Sequence, residues 1–363
     1  MFEIVGTKSL DSNAIEFTKT GINFIGRTFE NNGIQGKIQK RDFEPNKPYT
    51  ITATVIGNYK YVKLQTEPYY CSQNINKLTP KYIINKWNER IAYFFIASVQ
   101  NFVSLYDGQQ GGYKLTDIKN HSISLPIKND KIDFDFIESF MSKLESQRIL
   151  EFETYLLASG LNDYELADEE QRSINEYNTI KWGKFKIGIL FERIKTKKIP
   201  FKADKLSKEM TVKYNLPCLT SSFKNQGLNY FVPKDEATVL KNVISIPSNS
   251  DVYRAYFQSI EFTVLSDAYA VRWNFNGVNL LPNQYLFAVQ CVNKVTDLPI
   301  YSYKNKLGGW NVVKNKYIQL PVKNDKPDYE IMGTLISAIK KLVIKDVVLY
   351  VQRKKEELKL ITR

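Results

Sequence analysis

The chain has 363 residues, of which 43% are hydrophobic and 13% aromatic, and it carries a net charge of +13 at pH 7. The length favours two domains, and the hydrophobic content excludes a disordered chain. No run of about 18 uncharged apolar residues occurs and no signal-peptide pattern opens the sequence, so we expect a cytoplasmic protein without a membrane span.

The charge is unevenly distributed along the chain. Residues 1–130 and 181–325 carry +5 and +12, whereas residues 131–180 carry −8 and residues 326–363 carry +4. This pattern predicts two basic lobes that bind a polyanion and a spacer that does not touch it, with ordinary surface charge as the alternative. We therefore expect a first lobe, a spacer helix with an acidic linker, a second lobe and a second spacer helix at these boundaries.

The predicted elements come in the same order in both halves. Runs rich in β-branched residues predict strands at 49–56 and 239–246. Short helices are predicted near 83–99 and 283–292. Each half therefore begins with an α/β lobe.

A long amphipathic helix of about 25 residues is predicted after each lobe, because apolar residues recur there at spacings of three and four. Asp133 and Asp328 precede the two helices as caps, and Gly160 ends the first. We expect the two helices to pack against each other as an antiparallel pair, and the alternative is that each packs on its own lobe. The predicted interface residues are Ile137, Met141, Leu144 and Tyr155 in the first helix and Ile331, Leu335, Leu342 and Tyr350 in the second.

The two halves also repeat each other in sequence. Residues 125–133 recur as residues 320–328, a shift of 195, with seven of nine positions identical. Phe29–Gly33 matches Phe223–Gly227, and Gly111–Tyr113 matches Gly308–Trp310, at almost the same shift. Order and spacing together indicate the tandem duplication of one unit of about 195 residues.

The patterns that catalysis would need are missing from the sequence. Cys71, Cys218 and Cys291 form no CxxC pair, which argues against disulfides and a cysteine zinc site. His121, the single histidine, cannot form a two-histidine metal site, and we interpret it as a polar residue at a loop edge. The glycines at 33–36 lack the spacing of a phosphate-binding loop. We therefore expect no catalytic residue, metal or cofactor.

The lobes are instead rich in side chains that contact phosphates and base edges, placed in segments with turn residues. The candidates in the first lobe are Arg27, Thr28, Asn31, Asn32, Lys37, Lys40, Arg41, Gln109, Gln110 and Tyr113. Those in the second lobe are Lys197, Lys198, Ser221, Ser222, Lys224, Asn225, Lys304, Asn305, Lys306 and Trp310. Matched positions hold different residues, which predicts two different half-sites on double-stranded DNA. For any single candidate, a solvated surface group is the alternative.

The order of these elements resembles that of a known family. The run at 182–192, Trp-Gly-Lys-Phe-Lys-Ile-Gly-Ile-Leu-Phe-Glu, looks like the opening of a target recognition domain. The runs Pro126–Phe134 and Gly160–Leu166 fit the entry and the exit of its long helix. Together they resemble the specificity subunits of Type I restriction–modification systems, and the similar subunits of BcgI-like Type IIB systems, over essentially the whole chain.

The resemblance implies an α/β (α+β) fold in which two tandem target recognition domains are separated by long helices. These helices would form an antiparallel, coiled-coil-like spacer with pseudo-two-fold symmetry. Each domain would read half of a bipartite duplex DNA site, and the helices would fix the gap and dock DNA methyltransferase subunits. Related assemblies add restriction subunits, and the chain itself would be non-catalytic.

The sequence departs from the family pattern in its first lobe, which begins at Phe2–Glu3 without a counterpart of 182–190. That piece is either clipped or supplied elsewhere. The +4 charge of the second helix region also means that docking need not be symmetric. Two other functions stay open, a protein-interaction scaffold with weak, sequence-blind DNA binding and a restriction or modification enzyme in its own right.

Overall fold

The structure is a computed structural model that describes residues 1–108, 111–200, 202–301 and 304–361. The chain divides into two units. The first comprises Met1–Phe152 with Lys354–Arg363, and the second comprises Glu153–Arg353.

The first unit is a mixed α/β structure. Its strands are β1 (Phe2–Gly6), β2 (Ser9–Leu10), β3 (Ile22–Ile25), β4 (Ile34–Ile38), β5 (Thr50–Thr54), β6 (Val62–Gln65), β7 (Tyr69–Ser72), β8 (Ile75–Pro80), β9 (Ile127–Lys128) and β10 (Lys131–Ile132). Its helices are α1 (Glu89–Ser104), α2 (Leu115–Asn120) and most of α3 (Phe134–Ala158). The antiparallel sheet β1-β8-β5-β6 is the main sheet, and the mixed sheet β2-β7-β3-β4 is the hairpin sheet.

The core of the first unit lies between the main sheet and α1. The Asn88 side chain accepts a hydrogen bond from Ile91 N (3.1 Å) and so caps the helix at its start. Apolar residues recur in α1 every three or four positions, which places one face of the helix on the sheet. Ile91 and Phe95 pack there in one cluster with Ile51 and Leu64.

The second unit repeats this plan. Its strands are β11 (Trp182–Lys186), β12 (Phe191–Arg193), β13 (Leu216–Leu219), β14 (Leu228–Val232), β15 (Val243–Pro247), β16 (Tyr256–Gln258), β17 (Thr263–Val264), β18 (Ala268–Trp273), β19 (Tyr317–Lys323) and β20 (Lys326–Pro327). Its helices are α4 (Asp168–Asn175), α5 (Ile187–Leu190), α6 (Pro282–Thr296), α7 (Trp310–Val313) and most of α8 (Tyr329–Ile361). The main sheet is β12-β18-β15-β16, the hairpin sheet is β14-β13-β17, and a third sheet has the order β11-β19-β20.

The predicted α/β architecture with two similar lobes is confirmed, since the two main sheets have the same strand order when matched element by element. The strands predicted at 49–56 and 239–246 correspond to β5 and β15. The helices predicted near 83–99 and 283–292 correspond to α1 and α6. The acidic stretch after α3 contains α4.

Both long helices begin as the sequence predicts. Phe136 N donates to Asp133 Oδ1 (2.9 Å), and Ile331 N donates to Asp328 Oδ1 (3.2 Å), so both aspartates are N-caps. Gly160 follows the end of α3 with φ +65°, a conformation that favours glycine. The second helix is longer than expected, with 33 residues against 25 in α3.

The first turns of each long helix pack on the lobe that precedes them. Ile137 is fully buried, and Met141 packs against the core cluster of the first unit. Leu335 is buried and Ile331 half-buried in the core cluster of the second unit. These four residues therefore pack on their own lobes, which is the alternative that the sequence left open. Leu144, Tyr155, Leu342 and Tyr350 lie farther along the helices and are exposed.

Polar contacts explain why α3 stays on the first lobe. Asn88 Nδ2 donates to Glu138 Oε1 (2.7 Å), and Arg90 Nε lies 3.0 Å from Glu145 Oε2. Lys86 pairs with both Asp135 and Glu138. The ammonium of Lys86 lowers the pKa of the Glu138 carboxyl. The residues before and within the first turn of α1 therefore hold the first three turns of α3.

We expect Ile137→Ala to reduce the free energy of unfolding of the first unit by about 2–5 kcal/mol, because it leaves a cavity under α3. Hydrogen exchange of the α1 amides measures this change within the unit. The neighbouring Phe136 is exposed. Phe136→Ala should therefore change the free energy by less than about 0.5 kcal/mol. Equal effects of the two substitutions would contradict packing of Ile137 on the lobe.

Candidate DNA interface

Each hairpin sheet carries a loop of the same construction. Residues 26–33 connect β3 to β4, and residues 220–227 connect β13 to β14. Gly26 N donates to Gly33 O (2.8 Å) in the first loop, and Thr220 N donates to Gly227 O (2.9 Å) in the second. We call these segments the first and the second hairpin loop.

Two successive left-handed residues shape each hairpin loop. They are Asn31 (φ 45°) and Asn32 (φ 53°) in the first loop, and Asn225 (φ 47°) and Gln226 (φ 54°) in the second. Asparagine is among the side chains that tolerate this conformation best. The shared geometry explains why both loops keep asparagine at the first of the two positions.

A buried glutamine fixes each hairpin loop to the main sheet. Gln65 Nε2 donates to Asn32 O (3.3 Å) and to Thr52 Oγ1 (3.1 Å). Gln258 Nε2 donates to Gln226 O (3.4 Å) and to Ser245 Oγ (3.0 Å) in the second unit. Buried amides of this kind are costly to leave without partners, so both loops are held in one position.

Several of the predicted DNA-binding side chains in these loops serve the fold. Thr28 Oγ1 accepts from Glu30 N (3.2 Å), and Ser222 Oγ accepts from Lys224 N (3.1 Å) at the matched position. Asn32 Nδ2 donates to Leu64 O at 2.8 Å.

Further loop side chains also bond within the fold. Asn31 Nδ2 donates to Ile34 O (3.2 Å), and Ser221 Oγ donates to Asp267 Oδ2 (2.8 Å). The side chains differ in chemistry at two matched positions, where the first loop has Arg27 and Glu30, both exposed, and the second has the half-buried Ser221 and the exposed Lys224.

The sequence did not single out one matched pair, Phe29 and Phe223. Phe29 is 65% exposed and Phe223 is 55% exposed, although large aromatic rings are usually buried. Lys63 Nζ lies 4.7 Å from the centre of the Phe29 ring. The sequence repeat could have identified this pair, because it aligns the two phenylalanines in a loop between polar residues.

Basic side chains lie at the other end of each hairpin. Lys37 lies on β4, and Lys40 and Arg41 follow that strand. Lys37 is exposed and Arg41 is half-buried. Lys40 pairs with Glu44 (2.8 Å), which raises the pKa of Lys40.

The second lobe has a comparable basic group. Lys197 and Lys198 are exposed and precede Ile199, which is buried with Leu216 and Val232 at the corresponding end of that hairpin. The structure thus separates the predicted residues of each lobe into a loop group and a basic group.

One predicted contact with DNA is wrong, because Tyr113 is 3% exposed and packs against Phe102. Trp310 is half-buried against Tyr269, and its contact with DNA stays a prediction. Lys304, Asn305 and Lys306 form an exposed turn, although Asn305 Nδ2 donates to Ile300 O (2.7 Å). Gln109 and Gln110 lie outside the described residues.

Two cysteine thiols of the described part of the chain are buried. Burial raises the pKa of the Cys71 and Cys218 thiols to about 12, so neither is a nucleophile near neutral pH. Among the described residues, no group of three or more His, Cys, Asp or Glu side chains could hold a metal ion. In the same part of the chain, no helix is both long and apolar enough to cross a membrane.

In each lobe the candidate interface thus consists of a polar hairpin loop and a basic group. Residues 1–154 match the model of the Type I restriction modification DNA specificity domain. The resemblance to specificity subunits that the sequence indicated is thereby confirmed.

Two relatives cover nearly the whole chain. The curated protein described as the Type II restriction enzyme BgcI specificity subunit S.BcgI, from Heyndrickxia coagulans, is 22% identical over 348 residues, which are 95% of this chain and 93% of that protein. The crystal structure of the Type I restriction–modification S subunit from M. genitalium matches with a TM-score of 0.57 at 14% identity, covering 99% of this chain and 91% of that one. At this identity, the structural match concerns the fold.

We expect Asn225→Val to reduce the free energy of unfolding by about 1–2 kcal/mol, because a β-branched residue is strained at a left-handed position. Asn225→Gly should stay within about 0.5 kcal/mol of the wild type, since glycine adopts positive φ without strain. Urea denaturation measures both values. The neighbouring Lys224 is not left-handed, so Lys224→Val serves as the control. A loss with Lys224→Val as large as that with Asn225→Val would contradict this account of the loop.

Proposed function

We propose that this chain is the sequence-specificity subunit of a restriction–modification complex and reads a bipartite duplex DNA site with its two lobes. The observation that carries the proposal is the pair of hairpin loops, which share one backbone but present different side chains. Methylation and cleavage belong to partner subunits, and the chain works in the cytoplasm, where those partners and the DNA are found.

The two hairpin loops differ in the chemistry of their exposed side chains. The first loop has Arg27 and Glu30 where the second has Ser221 and Lys224. Arginine and lysine pair with guanine, and a glutamate accepts from the amino group of cytosine. One backbone with different side chains thus suits two unlike half-sites, while the basic groups bind phosphates.

The two long helices are suited to set the gap between the half-sites. At 1.5 Å per residue, helices of 25 and 33 residues extend about 37 and 50 Å. Lys354 Nζ lies 3.8 Å from Glu145 Oε1 in the first unit, and Lys341 Nζ lies 2.7 Å from Asp163 Oδ2 in the second. These contacts support an antiparallel spacer between recognition domains at 1–130 and 181–325.

Exposed apolar side chains on the helices are suited to dock the methyltransferase subunits. On α3 the rings of Phe136 and Phe140 are stacked, with centroids 6.2 Å apart. Tyr155 is exposed farther along the same helix. On α8 the exposed residues include Leu342 and Val343. Exposed apolar rows of this kind are typical of protein interfaces. Restriction subunits would join through the methyltransferase.

The central test exchanges the charges at the loop tips. The wild-type chain should enrich one motif of two short halves with a fixed gap from a random duplex pool at moderate salt. Lys224→Glu should change the preferred bases in one half only, and Glu30→Lys in the other half only, because each loop reads one half. A mismatched base pair costs about 1–3 kcal/mol, so each variant should bind the wild-type site roughly 5- to 150-fold more weakly.

Other outcomes of this selection favour the other functions. If no motif is enriched, the selection is repeated in the presence of the methyltransferase subunit. If that selection also enriches no motif, the result supports a protein-interaction scaffold. Methylation or Mg²⁺-dependent cleavage by the pure chain supports an enzyme. A change in both halves from a single substitution contradicts the division of reading between the loops.

A second test concerns docking. Phe140→Ser should weaken binding of the methyltransferase subunit at least about tenfold in pull-down titrations, because an aromatic anchor is lost. DNA selection by the chain alone should not change. Tyr59 is exposed between β5 and β6 of the first lobe, so Tyr59→Ser is the control. Unchanged binding with Phe140→Ser would show that this part of α3 is outside the docking surface.

A further inference from the structure

Each unit has a connecting segment of the same construction beside its hairpin. In the first unit residues 7–21 lead from β1 to β3, and in the second unit residues 194–215 lead from β12 to β13. Each segment contains a single turn of 3-10 helix, at Ser12–Ala14 and at Ala203–Lys205. We call these segments the first and the second arm.

Both arms are fixed to the outer strand of their hairpin. Thr18 N of the first arm donates to Lys37 O on β4 (2.8 Å), and Phe231 N on β14 donates to Ser207 O of the second arm (2.8 Å). The strands β4 and β14 are edge strands of the two hairpin sheets. Apolar side chains of both arms also pack on the hairpin strands. Each arm is therefore held at one place on its hairpin.

The two arms differ strongly in charge. The first has two lysines and two acidic residues and is neutral, whereas the second has seven lysines and two acidic residues, a net charge of +5. All seven lysines are exposed, and in the described part of the chain none of them forms an ion pair with a carboxylate. They are Lys195, Lys197, Lys198, Lys202, Lys205, Lys208 and Lys213. Since the neutral arm has the same construction, the structure of the arm does not require this charge.

The second arm lies close to the second hairpin loop. Phe231, to which the arm is bonded, is four residues beyond Gly227, the last residue of that loop, or about 13 Å along an extended strand. Duplex DNA carries one negative charge per about 1.7 Å of its axis, so a duplex that reaches the loop presents about eight charges over this distance. Unpaired lysines that repel one another are stabilised by such a polyanion.

We propose that the second arm binds DNA phosphates and makes the second lobe the main anchor of the chain on duplex DNA of any sequence. The first lobe, whose arm is neutral, then adds affinity mainly where its own half-site matches. The basic group of the first lobe is also weaker, because Lys40 is paired with Glu44. The proposal rests on the proposed DNA reading by the two lobes and adds a division of labour between them.

The first test neutralises part of the second arm. The arm variant carries Lys197→Gln, Lys198→Gln and Lys202→Gln in the full chain, and the probe is a fluorescein-labelled duplex of random sequence. Anisotropy gives its affinity between about 50 and 200 mM salt. The slope of log K against log salt should become shallower by about 2 to 3, since each phosphate contact contributes about 0.9. The motif enriched in the DNA selection should not change, because phosphate contacts carry no sequence information.

A control variant removes the same charge from another surface of the second unit. It carries Lys181→Gln, Lys184→Gln and Lys294→Gln, all at exposed positions at β11 or on α6. The third sheet and α6 pack on the face of the main sheet that holds Ile244, whereas the hairpin sheet packs on the face that holds Val243. The control should therefore change the slope by less than one phosphate contact, about 0.9.

The second test asks which lobe touches DNA of random sequence. Ser12→Cys and Ala203→Cys place an exposed thiol at the start of the 3-10 turn in the first and the second arm, and each is labelled with a benzophenone maleimide. After irradiation, the second arm should cross-link to the duplex at least about fivefold more than the first, since it supplies the phosphate contacts. The labelled wild type gives the background from the half-buried Cys291.

Two results would overturn the proposal, a slope that the arm variant and the control variant change equally, and equal cross-linking from the two arms. Failure of base reading gives a different result. In that case the selection enriches no motif, but the arm variant still lowers the slope and the second arm still cross-links more. An enriched motif together with an unchanged slope in the arm variant would contradict the anchor alone.

Discussion

Each unit depends on the backbone geometry of the short segment that connects its lobe to its long helix. After the last residues of the lobe, the chain makes a two-residue turn with both residues left-handed, and three residues later an aspartate caps the long helix. Turns of this type match the twist of the strands they join, so the direction of the exit is fixed. The first turns of the helix then fall on the lobe, where Ile137 or Leu335 is buried. The turn, the cap and the packing of the first helical turns each require a particular local geometry. The sequence of this segment is therefore the part that the two halves share most closely.

In the hairpin loops, the residues that hold the backbone in place are different from the residues whose side chains are exposed. Gln65 and Gln258 bind loop carbonyls in the same way, and the left-handed pair is retained in both loops. These groups face the protein and tolerate little change. Arg27 and Glu30 face outward and differ from their counterparts in the second loop. Duplication followed by change of outward residues alone would produce two readers from one fold.

The sequence predicted most reliably what is decided locally. The caps Asp133 and Asp328, the end of α3 at Gly160 and the order of the lobes depend on short patterns, and all are found in the structure. Contacts between residues that are distant in the sequence were harder to predict. Tyr113 was wrongly placed on the surface because a turn of glycines does not tell which way the next ring points. Phe29 and Phe223 were missed because an aromatic ring usually indicates core.

The long helices show the same limit. Their apolar stripes predicted burial for the first turns of each helix, but not the neighbour that provides it, since one stripe can serve a lobe, another helix or a partner. Ion pairs resolve this for the start of α3, where Glu138 and Glu145 meet Lys86 and Arg90 across the lobe. No pattern within residues 134–158 contains that information, because half of each pair lies about 50 residues earlier in the chain. Farther along the helices, apolar side chains such as Tyr155 and Leu342 are exposed, as the proposed docking of a partner requires.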